Sequence, residues 1–122
     1  MRIGVLVYIS GPITPKEEFM AEENVIEGLK MHLKLTEMGI PSHCPMLVGG
    51  YPSAWLVDWE DWIALDFAII NRCTHVLLLP RWLTSKGALE ERDYAITKGI
   101  PIAESLDELV KMLEESDARA KG

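Results

Sequence analysis

His75-Val76-Leu77-Leu78-Leu79-Pro80, followed by Ser85-Lys86-Gly87-Ala88-Leu89-Glu90-Glu91-Arg92-Asp93-Tyr94-Ala95-Ile96-Thr97-Lys98-Gly99, carries the clearest architectural signal in the chain. The apolar run reads as a strand buried on both faces, as parallel strands are. Ser85 is placed to cap a helix, and Gly99 stands where a left-handed residue ends one. A strand, a short loop and a helix N-terminus make the place where an open α/β sheet holds its ligand. The helix start also favours negative charge through its free N–H groups and its dipole. At about 100° per residue the apolar stripe is Ala88, Leu89, Ala95 and Ile96. Glu91 falls on the shoulder of that stripe beside Ala95, while Glu90 and Asp93 point away. Glu91 is therefore the acid expected to face the crevice.

Upstream, residues 2–9 read as a first strand that Ser10-Gly11-Pro12 breaks. Residues 15–38 read as a helix with Val25, Ile26, Leu29 and Leu33 on one stripe and Gly39 as the stop. A second stripe, Met31, Leu35 and Met38, lies on another face; cover by a loop and contact with a second copy of the chain are both open there. With the Trp-rich helix nearby, it motivates a homo-oligomer, a dimer or higher. Residues 40–45 read as a short strand, and 46–53 as a Gly/Pro-broken loop suited to a lid. A helix over 54–71 puts Trp55, Trp59, Trp62, Ile63, Ile69 and Ile70 on one stripe with Asp66 in its middle; Asp58, Glu60 and Asp61 fall off it. A carboxylate at such a position is costly unless it is hydrogen-bonded, paired or facing a cleft.

Downstream, residues 100–103 read as a short strand. Ser105 caps a last helix to about Glu115, with Leu106, Leu109, Val110 and Leu113 inward, and residues 116–122 read as a frayed tail. Strand and helix alternate without a repeat. That pattern predicts an α/β fold, a flavodoxin-like or Rossmann-like three-layer sandwich on a parallel sheet of four or five strands. Right-handed crossovers favour the order 2-1-3-4, with the switch point between the first and third strands. Tyr8, Ser10 and Gly11 then lie beside residues 80–87, and the crevice is expected there.

A chain of 122 residues, 48% hydrophobic and 25% charged, is expected to form one domain over 1–122 with its own core. The net charge of −7 comes with no basic run, which argues against a nucleic-acid polymer as partner. A single nucleotide is still compatible, because helix N–H groups can hold one phosphate. Apolar runs are too short to span a bilayer and no signal peptide is visible, so a cytoplasmic protein without membrane contact is expected. Cys44 and Cys73 are isolated and read as buried reduced thiols.

His32, His43 and His75 are scattered, no zinc spacing occurs, and neither a P-loop nor a dinucleotide fingerprint is present. No metal and no cofactor are expected. Ser10 and Ser85 have no His partner nearby in sequence, which disfavours a serine hydrolase. Two carboxylates, Glu91 and Asp66, converge on one crevice with Tyr8 beside them. Such a pair suits glycosidic bond cleavage, one acid attacking the anomeric carbon and the other handling the leaving group's proton.

Tyr8-Ile9-Ser10-Gly11-Pro12, then Asn24, Asp66, Leu79-Pro80 and the spaced set Ser85, Gly87, Ala88, Glu91, Ala95 and Gly99 resemble the nucleoside 2-deoxyribosyltransferase superfamily. The likeness covers residues 1 to about 103 and is nearest to small members that resemble nucleoside 5′-monophosphate N-glycosidases. It implies Glu91 as nucleophile, Asp66 as the residue that protonates or orients the base or contacts the sugar, and Tyr8 as the group positioning the nucleophile. Ser10, Gly11, Pro12, Trp82, Ser85 and Gly87 are then the substrate-binding set. Transferases acting on free nucleosides carry an Asp six residues before the Glu, for the 5′-hydroxyl; monophosphate hydrolases carry a Ser there, as this chain does in Ser85. Two departures stand out. Arg92 occupies a position that is often apolar, and the chain lacks the longer C-terminal segment by which transferases complete a neighbour's site. The expected activity is N-glycosidic hydrolysis of a (deoxy)nucleoside 5′-monophosphate, with base exchange between nucleosides and a non-catalytic nucleotide-binding module as the alternatives.

Overall fold

The computed structural model describes residues 1–12, 18–45 and 58–121. Within them the chain forms four strands, β1 (Val7–Ser10), β2 (Ser42–His43), β3 (His75–Leu78) and β4 (Ile102–Ala103). Four α-helices accompany them, α1 (Glu18–Glu37), α2 (Trp59–Ile70), α3 (Lys86–Thr97) and α4 (Leu106–Lys121), with a 3-10 turn over Trp82–Thr84. All strand pairs are parallel and the order is β2-β1-β3-β4, as the alternating pattern predicts. The central pair runs from Val7 opposite His75 to Ser10 opposite Leu78.

Alternation along the strands divides the core into two layers. Val7, Ile9, Leu77, Leu79 and Ala103 pack with Leu35 of α1 and with Leu109 and Leu113 of α4. Tyr8, Val76 and Leu78 face the other way, onto Ile70 of α2 and Ala95 of α3. This is a three-layer α/β sandwich, and Tyr8 and Ser10 belong to its α2/α3 side. Among the described residues no helix is long and apolar enough to cross a membrane.

Several local expectations are corrected. The first strand begins at Val7, not Arg2, because among the described residues its neighbouring strands pair with it only from Val7 onward. Gly4 turns with φ +79°, and Ile3 is 99% exposed. On α1 the inward face is turned from the one the apolar count selected: of that stripe Val25 packs against the core and Leu29 is half-buried. Leu35 is fully buried and Met31 packs against the core, whereas Ile26 and Leu33 are 47% and 52% exposed. Asn24 and Gly28 complete the inward face, and neither scores as apolar, which is why counting hydrophobic side chains misplaced it. Leu35 therefore belongs to the core and is not available for contact with a second copy. Residues 116–121 are helical rather than frayed. They contain no helix breaker, Arg119 and Lys121 complement the dipole, and Asp117 forms a two-pronged pair with Arg2 at 3.0 and 2.8 Å. The lid expected over 46–53, Trp55 and Pro15 lie outside the described residues.

Cys44 and Cys73 are both buried, and burial pushes the Cys73 thiol up to about 11, far from reactive.

Candidate active site

α3 starts where the sequence places it. Ser85 Oγ accepts a hydrogen bond from the Ala88 N–H at 3.1 Å, and Gly99 takes φ +71° just past the C-terminus. The buried face of the helix is Ala88, Glu91 and Ala95. Glu91 sits at the centre of that face rather than on its shoulder, and Ile96 is 53% exposed. The apolar side chains Leu89 and Ile96 pulled the expected stripe away from its true axis.

Glu91 points at the carboxyl end of β1. Tyr8 Oη donates to Glu91 Oε2 at 2.5 Å, and Ser10 Oγ donates to Glu91 Oε1 at 2.7 Å. Both hydroxyls come from one strand, two residues apart, so they project on the same side of the sheet. Asp66 reaches the group from α2, near enough for its charge to act on both Glu91 and Tyr8. All four are buried: Tyr8 and Ser10 fully, Glu91 to 2% exposure and Asp66 to 8%. Four residues from three elements thus meet at one point, as the sequence predicts for Tyr8, Asp66 and Glu91.

Burial is the leading reason that the Glu91 carboxyl lies well above its usual range, and the nearby Asp66 adds to it; the Tyr8 and Ser10 hydroxyls oppose the rise. Asp66 is raised too, again chiefly by burial, with Glu91 and Tyr8 pulling the other way. Two acids this close do not both ionise easily, so the pair holds one proton between them over a range of pH in which free carboxyls hold none. Burial, then Glu91 and Asp66, push the Tyr8 phenol upward, so it stays a neutral donor. The arrangement provides one carboxylate gripped at both oxygens and one proton next to it.

The remaining predicted residues fall around this centre with different roles. Gly11 is required by packing, since a Cβ there would meet Leu79 Cβ at 3.0 Å. Pro12 follows it at the end of β1, half-buried. Among the described residues, a Cβ on Gly87 would meet only Ser85 Oγ, at 3.8 Å. Trp82 packs against the Tyr8 side of the core, and its ring lies 5.4 Å beneath the Arg92 guanidinium. Arg92 is thereby explained: it stacks on Trp82 and pairs with Asp93 at 3.3 Å.

Three features escaped the sequence. His43 stacks on Tyr8 with ring centroids 5.8 Å apart, because β2 sets the two side by side. Its pKa is lowered, first by burial and then by His32, which favours the neutral ring. Ser10, expected in the substrate-binding set, donates its hydroxyl to Glu91. Arg81, which caps the 3-10 turn after β3, has a left-handed backbone at φ +70° and donates to Asn24 Oδ1 at 2.8 Å, with Glu27 Oε2 3.0 Å away in an ion pair. The strand-to-helix passage beside the site is thus tied to α1 through buried Asn24.

Arg81→Ala should cost about 1–3 kcal/mol, because it leaves the Asn24 carbonyl without its donor. Arg81→Gly should cost about 1 kcal/mol less, since glycine takes the left-handed region freely. Urea unfolding of the two variants checks this; equal losses would mean that the Arg81 backbone stores no strain.

The model of a domain of unknown function, DUF4406, matches residues 5–104. No curated protein matches the chain.

Proposed function

The chain belongs to this family of unknown function, and from its site we propose that it hydrolyses the N-glycosidic bond of a (deoxy)nucleoside 5′-monophosphate. The observation that carries the reading is the buried Glu91 carboxyl, gripped at both oxygens by Tyr8 and Ser10 with Asp66 alongside. In the first step a Glu91 oxygen bonds to C1′, the C1′–N bond breaks with its electron pair going to the base, and Asp66 gives the base a proton. In the second step water attacks C1′, the ester bond returns its electron pair to Glu91, and Asp66 takes the water's proton. The shared proton supplies the acid that these two steps need. The likeness to the nucleoside 2-deoxyribosyltransferase superfamily, carried by Tyr8, Asp66, Ser85 and Glu91, points the same way. A cytoplasmic location accords with a nucleotide substrate. Incubating the protein with a panel of nucleotides and separating free base by chromatography tests the reading; no base from any of them would refute it.

Ser85 and the α3 N-terminus would hold the 5′-phosphate. The N–H groups of a first helical turn lack intrahelical partners and favour an anion, and Gly87 puts no side chain among them. Charge-assisted contacts here should favour monophosphates over nucleosides by roughly ten- to a hundredfold in kcat/KM. Ser85→Asp keeps a good cap but repels phosphate, so it should erase or invert that preference. Hydrolysis rates for matched nucleoside and nucleotide decide it. An unchanged preference in Ser85→Asp would move the phosphate elsewhere.

A further inference from the structure

A single hydroxyl from Tyr8 would be enough to orient one oxygen of Glu91, yet the site commits a second, fully buried hydroxyl to the other oxygen. Ser10 is the last residue of β1, and its side chain shares the α2/α3 side of the sheet with Tyr8. We propose that Ser10 is a positioning residue that acts through Glu91 on the second half-reaction, speeding hydrolysis of the glycosyl–Glu91 ester. The proposal rests on the glycosidase reading above and adds a step-specific role to it.

The reason lies in where charge appears. A hydroxyl bonds a carboxylate more strongly than a neutral ester. During attack on C1′, Glu91 loses its charge, so the Ser10 bond weakens toward the transition state and gives that step no help. During ester hydrolysis the C1′–O bond breaks, its electron pair returns to Glu91, and the Ser10 bond strengthens as the charge grows. Only an interaction stronger in the transition state than in the ground state accelerates a step. Ser10 therefore favours the second step over the first. The two-point grip also stops the carboxyl from rotating about its Cγ–Cδ bond, so the ester is presented to water in one orientation.

Ser10→Ala should slow ester hydrolysis by about ten- to a hundredfold while leaving the first step as fast as before or faster. Base release should then show a burst close to one equivalent per site, and intact-protein mass spectrometry should find the sugar-phosphate adduct on Glu91. The acid limb of kcat/KM should also move to higher pH, because the Ser10 hydroxyl holds the Glu91 carboxyl down. A purely structural role would produce neither the adduct nor the shifted limb. Ala adds no atoms in this buried position, and Ser10→Cys, of similar size and a weak donor, serves as a second variant with the same expected sign. Slower turnover without burst or adduct in both variants would overturn the proposal and leave the glycosidase reading standing. Failure of the wild type to release base from any nucleotide would instead remove that reading, and the proposal with it.

Discussion

Glu91→Gln is expected to abolish base release, with kcat falling by several orders of magnitude, while the free protein gains stability above neutral pH. The amide keeps the shape of the carboxyl but cannot form the ester, and loss of a covalent path is rarely compensated. The stability gain is a linkage effect. The folded-state pKa of Glu91 is raised, first by burial and then by Asp66, above its ordinary value of 4.5. Native protein therefore retains a proton that the unfolded chain has already released. Stability is unpenalised below the ordinary value and declines as pH rises from there toward the raised one. The substituted amide has no proton to lose, so that part of the decline disappears. Melting curves of both proteins at about pH 5 and about pH 8 read it out: the difference in Tm should favour the variant more at the higher pH. A constant difference would mean that Glu91 titrates like an exposed carboxyl, and near-normal turnover would place the nucleophile elsewhere.

Asp66→Asn should lower kcat by about a hundred- to ten-thousandfold, the range for loss of a general acid. Its pH profile is the more telling result. In the wild type, kcat/KM should rise as the pair loses its first proton and fall as it loses the second, and both values belong to the pair rather than to either residue. The variant's amide has no proton to give, so the alkaline limb should vanish. The acid limb, at which Glu91 ionises beside a neutral partner in both proteins, should stay close to its wild-type position. A nucleotide whose purine is methylated at N7 loses its base without needing a proton, and should be affected far less by the change. If it suffers the same loss as the unmethylated nucleotide, Asp66 holds the base or sugar and does not protonate the leaving group.

Much of the architecture was legible in the chain. The apolar runs ending at Ile9 and at Leu79, each followed by a break and a helix, required buried parallel strands, and alternation required a three-layer sandwich. Ser85 and Gly99 marked the ends of α3 because capping and positive φ are local needs that particular residue types meet. Asp66 was conspicuous for the opposite reason: a carboxyl amid tryptophans and isoleucines has to be satisfied by something far away in sequence. Glu91 was distinguished from Glu90 by angle alone, and burial of Glu91 to 2% agrees with that choice.

Hydrophobic counting failed where the inward face was made of residues that do not count as hydrophobic. Gly28 and Asn24 on α1, and Glu91 itself on α3, occupy the buried axis, so the apolar side chains nearby marked the wrong line. Strand and helix identity, sheet order, caps and the out-of-place acids could be read directly, because each depends on neighbours along the chain or on general rules of chain connection. Long-range packing alone established that Ser10 bonds Glu91, that His43 lies on Tyr8, that Arg92 rests on Trp82 and that Arg81 reaches Asn24. Each of these pairs joins groups whose meeting depends on strand register or on how a helix is rotated against the sheet. A shift of one residue in either would turn the side chains away from one another, and the composition of the segments would be unchanged.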